Sequence, residues 1–365
     1  LDHRAPRTPS GRVLGLGAYR EAGLSSLDFA GAHRAVARHA RVTPLLRDPF
    51  LSERLGREVW LKAEGLQPTG SFKVRGAAAR LEALKVDGRE RGVVACSSGN
   101  HGRAVAYVAG RLGVPATVYV PEWVDPVKLE GIEAAGATPV RRGETFDESE
   151  ALALEAAAEE GLTYVSAYDA PWVMAGRGTL AAEAVKQWRG STGSSRQAAA
   201  VVVPLSGGGL IGGIAEALAT DGTDSGVETN DGDPSGAGPW CLAASAEKAA
   251  VMLASRRAGR PVELPEEETL ANALAGGIGL DNRYSFELVR DRVHHHATVT
   301  EEEIAAAMCY AAQHLRLVLE GGGAVALASI LSRSWSDEEL PDGPLIVVLS
   351  GANVAPEVLT RVLRG

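Results

Sequence analysis

Sulfur and aromatic rings are scarce in this sequence: 3 cysteines, 3 methionines and an aromatic share of 5% in 365 residues. The cysteines, Cys96, Cys241 and Cys309, are widely spaced, and each lies in an apolar run. That pattern excludes a disulfide framework and the close Cys spacing of a metal site, and it reads as buried thiols of a reducing compartment. A cytoplasmic protein is therefore expected. Long apolar runs are missing too: none reaches the roughly 18 residues of a membrane-spanning helix. From Leu1-Asp2-His3-Arg4, no secretory leader is expected. Positive charge is in deficit, with 37 Lys and Arg against 46 Asp and Glu for a net charge of −9. Without a basic stripe carrying interleaved aromatics, a nucleic-acid partner is not expected.

What is abundant is glycine, 43 residues in a chain that is 45% hydrophobic. This is the make-up of an α/β protein long enough for two domains. Residues 1–23 are polar and broken by Pro and Gly, an expected loose arm. An amphipathic helix is expected from Ser26, its N-cap, to Ala40, then a turn at Thr43–Leu45, a strand over Glu58–Ala63 and a helix from Lys73 to Leu84. From Val93 the rhythm changes. Strands over Val93–Cys96, Ala116–Val120, Thr138–Arg141 and Thr163–Ser166 alternate with helices over Arg103–Leu112, Val127–Ala135 and Asp147–Glu159. Such βαβ alternation predicts a parallel sheet covered on both faces. A second series has strands at Ala200–Leu205, Trp240–Ser245, Val293–Val299 and Leu345–Leu349, with helices that include Thr179–Gln187, Leu210–Ala219 and a long one over Glu301–Leu319. The acidic, Gly-rich stretch 220–239 has no periodicity and is expected to be a flexible surface loop. The expected division is a large domain of residues 1–89 and 169–365 and a small domain of residues 90–168.

Three strand-to-helix junctions share one character: residues 96–102, 205–210 and 349–353. In open parallel sheets, ligands bind beyond the carboxyl ends of the strands, where helix N-termini present free N–H groups and a positive dipole end. Ser206–Leu210 is the best phosphate cradle of the three, because its glycines let the backbone approach anionic oxygens closely. Gly207, Gly209 and Gly212 also spell a dinucleotide fingerprint, but the acidic residue expected about 20 positions later falls in the aperiodic loop. The nicotinamide reading is therefore minor. Lys73, in Gly70-Ser71-Phe72-Lys73-Val74-Arg75-Gly76, would alone be a surface charge. Beside three anion-binding junctions it becomes a candidate amine for a phosphorylated, carboxylated ligand. His294, His295 and His296 read as residues of a surface strand, where alternation sends them to opposite faces, and Glu301–Glu303 as a solvated helix start.

The segments TGSFKVRGA, SSGNHG, PLSGGGL and LSGAN, in this order and separation, resemble the fold-type-II pyridoxal-phosphate enzymes of the serine/threonine dehydratase family. The similarity runs from about Arg41 to the C-terminus, apart from the 220–239 loop. GGIGLDN at 276–282 and GRAVAYVAGRLGVPATV at 102–118 are most similar to the hydroxyectoine-utilisation dehydratase branch. The resemblance implies a tryptophan-synthase-β-like α/β fold, with two parallel-sheet domains and pyridoxal 5′-phosphate between them, in a homodimer acting on a small amino acid. It implies Lys73 as the Schiff-base lysine, with Phe72 packed near the ring. Ser206, Gly207, Gly208, Gly209 and Leu210 would hold the phosphate, Asn100 the ring 3-oxygen and Ser350 the ring nitrogen, with Gly277 beside the cofactor. Ser97, Ser98, Gly99 and His101 would bind the substrate carboxylate, Ser98 lying on the ring face opposite Lys73.

The implied reaction is α,β-elimination of a β-hydroxy amino acid to a 2-oxo acid and ammonia, with Lys73 removing the α-proton as general base. A hydroxyl rather than a carboxylate at the ring nitrogen makes a weaker electron sink, which suits elimination better than a long-lived carbanion. A racemase with Ser98 as second base, a β-replacement synthase and a non-catalytic cofactor binder are the alternatives. Two departures bear on the substrate and on metal. Glu247 matches the first ligand of a cation site found in relatives, but Leu253 replaces a required acid, so no metal is expected. Glu150 stands where some relatives carry a cation, so substrates with a second carboxylate are expected to be disfavoured.

Overall fold

The computed structural model describes residues 27–124, 126–193, 198–220, 238–336 and 338–364. The expected arm over 1–23, the expected cap Ser26 and residues 221–237 of the expected loop lie outside these. The strands are β1 (Leu45–Arg47), β2 (Val59–Ala63), β3 (Val93–Cys96), β4 (Ala116–Val120), β5 (Thr138–Arg141), β6 (Thr163–Tyr164), β7 (Ala200–Pro204), β8 (Trp240–Ala246), β9 (His295–Val299) and β10 (Leu345–Leu349).

The chain divides into two compact units. One joins the stretch ending at Ala40 to Lys73–Gly176, and the other joins Arg41–Phe72 to Arg177–Gly365. This differs from the expected partition, in which residues 1–89 belonged to the large domain. The helices Phe29–His39 and Lys73–Glu82 go instead with the smaller sheet. Their apolar residues Val36, Val74, Ala77, Ala78 and Leu81 share one core with Ala104, Val105 and Val108 of the helix Asn100–Leu112. The first of these helices is capped by Asp28, whose Oδ1 accepts the Gly31 N–H at 2.8 Å.

The smaller unit holds a parallel sheet in the order β5-β4-β3-β6. The larger unit holds six strands in the order β1-β2-β10-β7-β8-β9. All neighbours there are parallel except β1, which runs antiparallel to β2 and replaces part of the expected turn. Strands β2, β7 and β10 are buried along their whole length. Both their faces are covered, so their sequences read as unbroken apolar runs without alternation. The chain moves from β7 to β8 to β9 in one direction and then returns to lay β10 on the other side of β7. The topological switch of this sheet therefore lies between β7 and β10, and the loops leaving these two strands are the expected junctions 205–210 and 349–353.

Other departures have local causes. The helix expected over Glu301–Leu319 stops at Tyr310, widens into a π turn over Ala311–Leu315 and ends at Arg316 with φ 61°. Its first turn is less solvated than expected: Thr300 and Glu303 form a capping box, and Glu301 accepts from Thr269 Oγ1 and the Leu270 N–H. Among the described residues no helix is long and apolar enough to cross a membrane.

Candidate active site

In the larger unit, the residues before Lys73 are pinned to the loop after β10. Phe72 N–H donates to Ser350 O at 3.0 Å, Ala352 N–H to Gly70 O at 2.9 Å and Asn353 Nδ2 to Thr69 O at 2.8 Å. Ser71 and Gly351 form an antiparallel bridge. Gly70 has φ +74°, and a Cβ there would lie 2.3 Å from Asn353 Oδ1, so only glycine fits. Ser350 is 3% exposed, and its hydroxyl points to Gly322 O at 3.4 Å, a weak bond that leaves the oxygen available. Arg177, 1% exposed, sets its guanidinium 5.2 Å from the centre of the Phe72 ring. Burial lowers its pKa to about 9. Sequence reading missed this residue, since an Arg-Gly pair inside a helix gives no sign of what the side chain covers.

The loop after β7 is more constrained still. Gly208 has φ +81°, and a Cβ on it would lie 2.9 Å from Met252 Cε and 3.0 Å from Val289 Cγ2. Ser206 Oγ donates to Leu274 O at 2.8 Å, and Ser285 Oγ donates to Gly207 O at 2.7 Å. Among the described residues, no acceptor takes the backbone N–H groups of Gly207, Gly208, Gly209 and Leu210, which open the helix Gly209–Thr220. Four free donors at the positive end of a helix dipole form an anion site. Gly277 is exposed in the chain preceding Asn282.

The strand ahead of this loop is braced from β8 and β9. Ser245 Oγ donates to Leu205 O at 3.0 Å and lies 3.1 Å from His296 Nε2. The single hydroxyl proton goes to Leu205, so His296 donates from Nε2, and its buried Nδ1 has no partner among the described residues. Burial lowers its pKa to about 3. The neighbouring histidines take other partners: His294 Nδ1 accepts the Cys241 N–H at 3.1 Å, and His295 lies 4.0 Å from Glu339.

In the smaller unit, Lys73 is the first residue of its helix and its Nζ donates to Ala167 O at 3.1 Å. The junction after β3 begins with Ser97, whose Oγ accepts the Gly99 N–H at 3.2 Å, and the helix starts at Asn100. Ser98 and Asn100 are half-buried, and Gly99 is exposed. His101 is 3% exposed, and its Nε2 lies 2.8 Å from Val165 O. The ring braces the fold, and the His101 backbone N–H lies in the first turn of the helix Asn100–Leu112. Lys73 and His101 thus both reach the segment 165–167. Glu150 Oε1 accepts the Tyr164 hydroxyl at 2.6 Å. Burial and then the Glu150 charge push the Tyr164 phenol well above its ordinary range, and the same causes act on the Cys96 thiol. The Glu150 charge is therefore felt one residue before Ser97.

Residues 36–351 match the model of the pyridoxal-phosphate dependent enzymes, and the chain belongs to that family. A putative threonine dehydratase of Sinorhizobium fredii is 35% identical over 345 residues, which is 94% of this chain and 97% of the relative. The processed form of threonine deaminase isoform 2 from Solanum lycopersicum shares the fold with a TM-score of 0.79 at 27% identity, covering 99% of both chains. Maize serine racemase does so with a TM-score of 0.79 at 26% identity, covering 94% of this chain and 98% of that one. The fold is thus fold type II, and the cofactor of the family is pyridoxal 5′-phosphate. The residues present fit that group: a four-donor cradle for a phosphate dianion, closed to any Cβ at Gly208, and a lysine amine at a helix start.

Proposed function

We propose that this enzyme is a dehydratase that converts a serine- or threonine-like β-hydroxy amino acid to a 2-oxo acid and ammonia. The observation that carries the reading is Ser350. The residue whose backbone holds Phe72, one position before Lys73, ends in a hydroxyl and not a carboxylate. Facing the ring nitrogen of a bound cofactor, a hydroxyl would keep that nitrogen largely unprotonated and disfavour any route that stores charge on the ring.

Bound pyridoxal phosphate supplies the electron sink that acidifies the substrate α-carbon. The chain supplies the rest. Gly207–Leu210 N–H groups, with Ser206, would hold the phosphate, Asn100 would donate to the ring oxygen, and Phe72 and Gly277 would border the ring. Ser97, Ser98, Gly99 and the His101 N–H hold the substrate carboxylate at the start of the helix Asn100–Leu112. Lys73 Nζ would hold the cofactor covalently, and as a free amine it would take the α-proton of the substrate. The β-hydroxyl would leave with the proton that Lys73 takes from the α-carbon, together one water, and hydrolysis of the remaining enamine would give ammonia and the 2-oxo acid in equal amounts. Within the family we place the chain in the hydroxyectoine-utilisation branch, supported by the segments 102–118 and 276–282, as a cytoplasmic homodimer.

Serine racemisation is the second reading, favoured by the likeness to maize serine racemase and by the Ser98 hydroxyl in the carboxylate loop. Incubating the enzyme with the enantiomers of serine, threonine and 3-hydroxyaspartate separates the two. Dehydration gives ammonia and 2-oxo acid one to one. Inverted amino acid without ammonia would put the racemase in its place, and neither product from any of them would sink both.

A further inference from the structure

The phosphate cradle contains two consecutive glycines, Gly207 and Gly208, joined by a peptide unit that glycine leaves free to rotate. In a planar trans peptide the C=O of one residue and the N–H of the next point in opposite directions. Whatever fixes the Gly207 carbonyl therefore also aims the Gly208 N–H. Rotated by half a turn, this unit would turn a carbonyl oxygen toward the phosphate in place of a donor.

One side chain holds that carbonyl. Ser285, fully buried at the start of the helix Tyr284–Arg292, donates to Gly207 O at 2.7 Å. Its hydroxyl is oriented in turn by Asn282, whose Nδ2 donates to Ser285 Oγ at 2.9 Å and to Ile278 O at 3.0 Å. Asn282 Oδ1 accepts the Phe286 N–H at 2.9 Å, which fixes the amide and closes the turn onto the helix. Ser285 Oγ has two acceptors for its one proton, Gly207 O at 2.7 Å and Asn282 Oδ1 at 3.1 Å; the shorter contact is to the carbonyl, and Asn282 Oδ1 already accepts the Phe286 N–H. The Ser285 Cβ also stands 3.2 Å from where a Cβ on Gly208 would be, so it limits space as well as direction.

We infer that Asn282 and Ser285 are positioning residues that lock the Gly207–Gly208 peptide with its N–H toward the cofactor phosphate. The segment 276–282 then acts on phosphate affinity through Ser285. This rests on the reading of Ser206–Leu210 as the phosphate site.

The test strips the full-length enzyme of cofactor and titrates it with pyridoxal 5′-phosphate and, separately, with pyridoxal, which lacks the phosphate. Ser285→Ala leaves a buried carbonyl unpaired and the peptide free to flip, and should weaken pyridoxal-phosphate binding roughly tenfold or more. Pyridoxal binding should stay within about twofold, since Lys73 and the ring contacts are untouched. Equal loss for both ligands, or unchanged pyridoxal-phosphate affinity, would overturn the inference. If Ser285→Ala does not fold, Ser285→Cys keeps the volume with a poor donor and must show the same selective loss. Gly208→Asp is measured alongside. If it too binds pyridoxal phosphate normally, the cradle itself is misassigned; if it abolishes binding while Ser285→Ala does not weaken it, only the lock is wrong.

Discussion

The junctions after β3 and after β7 have the same sequence grammar, an apolar strand, a small-residue loop and a helix, yet they are built to different tolerances. After β7, Gly208 sits in the left-handed region with Met252, Val289 and Ser285 closed around the place where a side chain would go. After β3, Gly99 is exposed, has φ −117°, and a Cβ there would meet nothing within 4 Å. The first loop offers backbone N–H groups held in place by surrounding side chains, which suits a group that never varies, such as the cofactor phosphate we propose there. The second presents Ser97 and Ser98 as half-buried side chains, which suits a group that must be chosen, such as the substrate carboxylate we propose there.

The largest effect should come from setting the two glycines against each other. Gly208→Ala forces a side chain into left-handed backbone and into Met252, and should weaken pyridoxal-phosphate binding on the order of tenfold to a hundredfold. Gly99→Ala should leave it within about twofold. Comparable losses for both would erase the distinction.

Acid should loosen the support of the tighter loop next. His296 is neutral in the fold, with a pKa of about 3 against an ordinary 6.5. Below pH 6.5 the unfolded chain takes up a proton that the folded one refuses, so stability falls as pH drops from 6.5 toward 3 and is insensitive to this group above it. The slope approaches about 1.4 kcal/mol per pH unit. Denaturant unfolding of wild type and His296→Asn at pH 7, 6 and 5 reads the difference. It should shift in favour of the variant as pH falls, and a pH-independent difference would exclude His296 as the cause.

The smallest effect belongs to the looser loop. Glu150→Gln should raise kcat/KM for 3-hydroxyaspartate relative to serine by roughly three- to tenfold, because a like charge near the carboxylate loop is removed. Pyridoxal-phosphate affinity should not move. A wild type that already turns over the acidic substrate as well as serine would contradict this.

Much of this contrast was legible in local sequence. Val93–Cys96 and Ser97–Gly102, or Ala200–Leu205 and Ser206–Leu210, are neighbours in the chain, and their strand, turn and helix preferences act over a few residues. Contacts between distant segments were not legible. Nothing in Thr69–Phe72 announces its bonds to Ser350–Asn353, nor in Ser285 its bond to Gly207. The His101 ring contact with Val165 O was likewise not legible. The strand β1 was hidden because Leu45–Arg47 is too short to show a period and exists only by pairing with β2.

The account turns on Lys73, and one measurement reaches it without relying on turnover. The holoenzyme is reduced with borohydride, digested and mapped by mass spectrometry, with Lys73→Ala carried in parallel. The wild type should carry a phosphopyridoxyl group on the peptide containing Lys73, and the variant should carry none. A stable label on any other lysine, or retention of covalent cofactor by Lys73→Ala, would contradict the assignment.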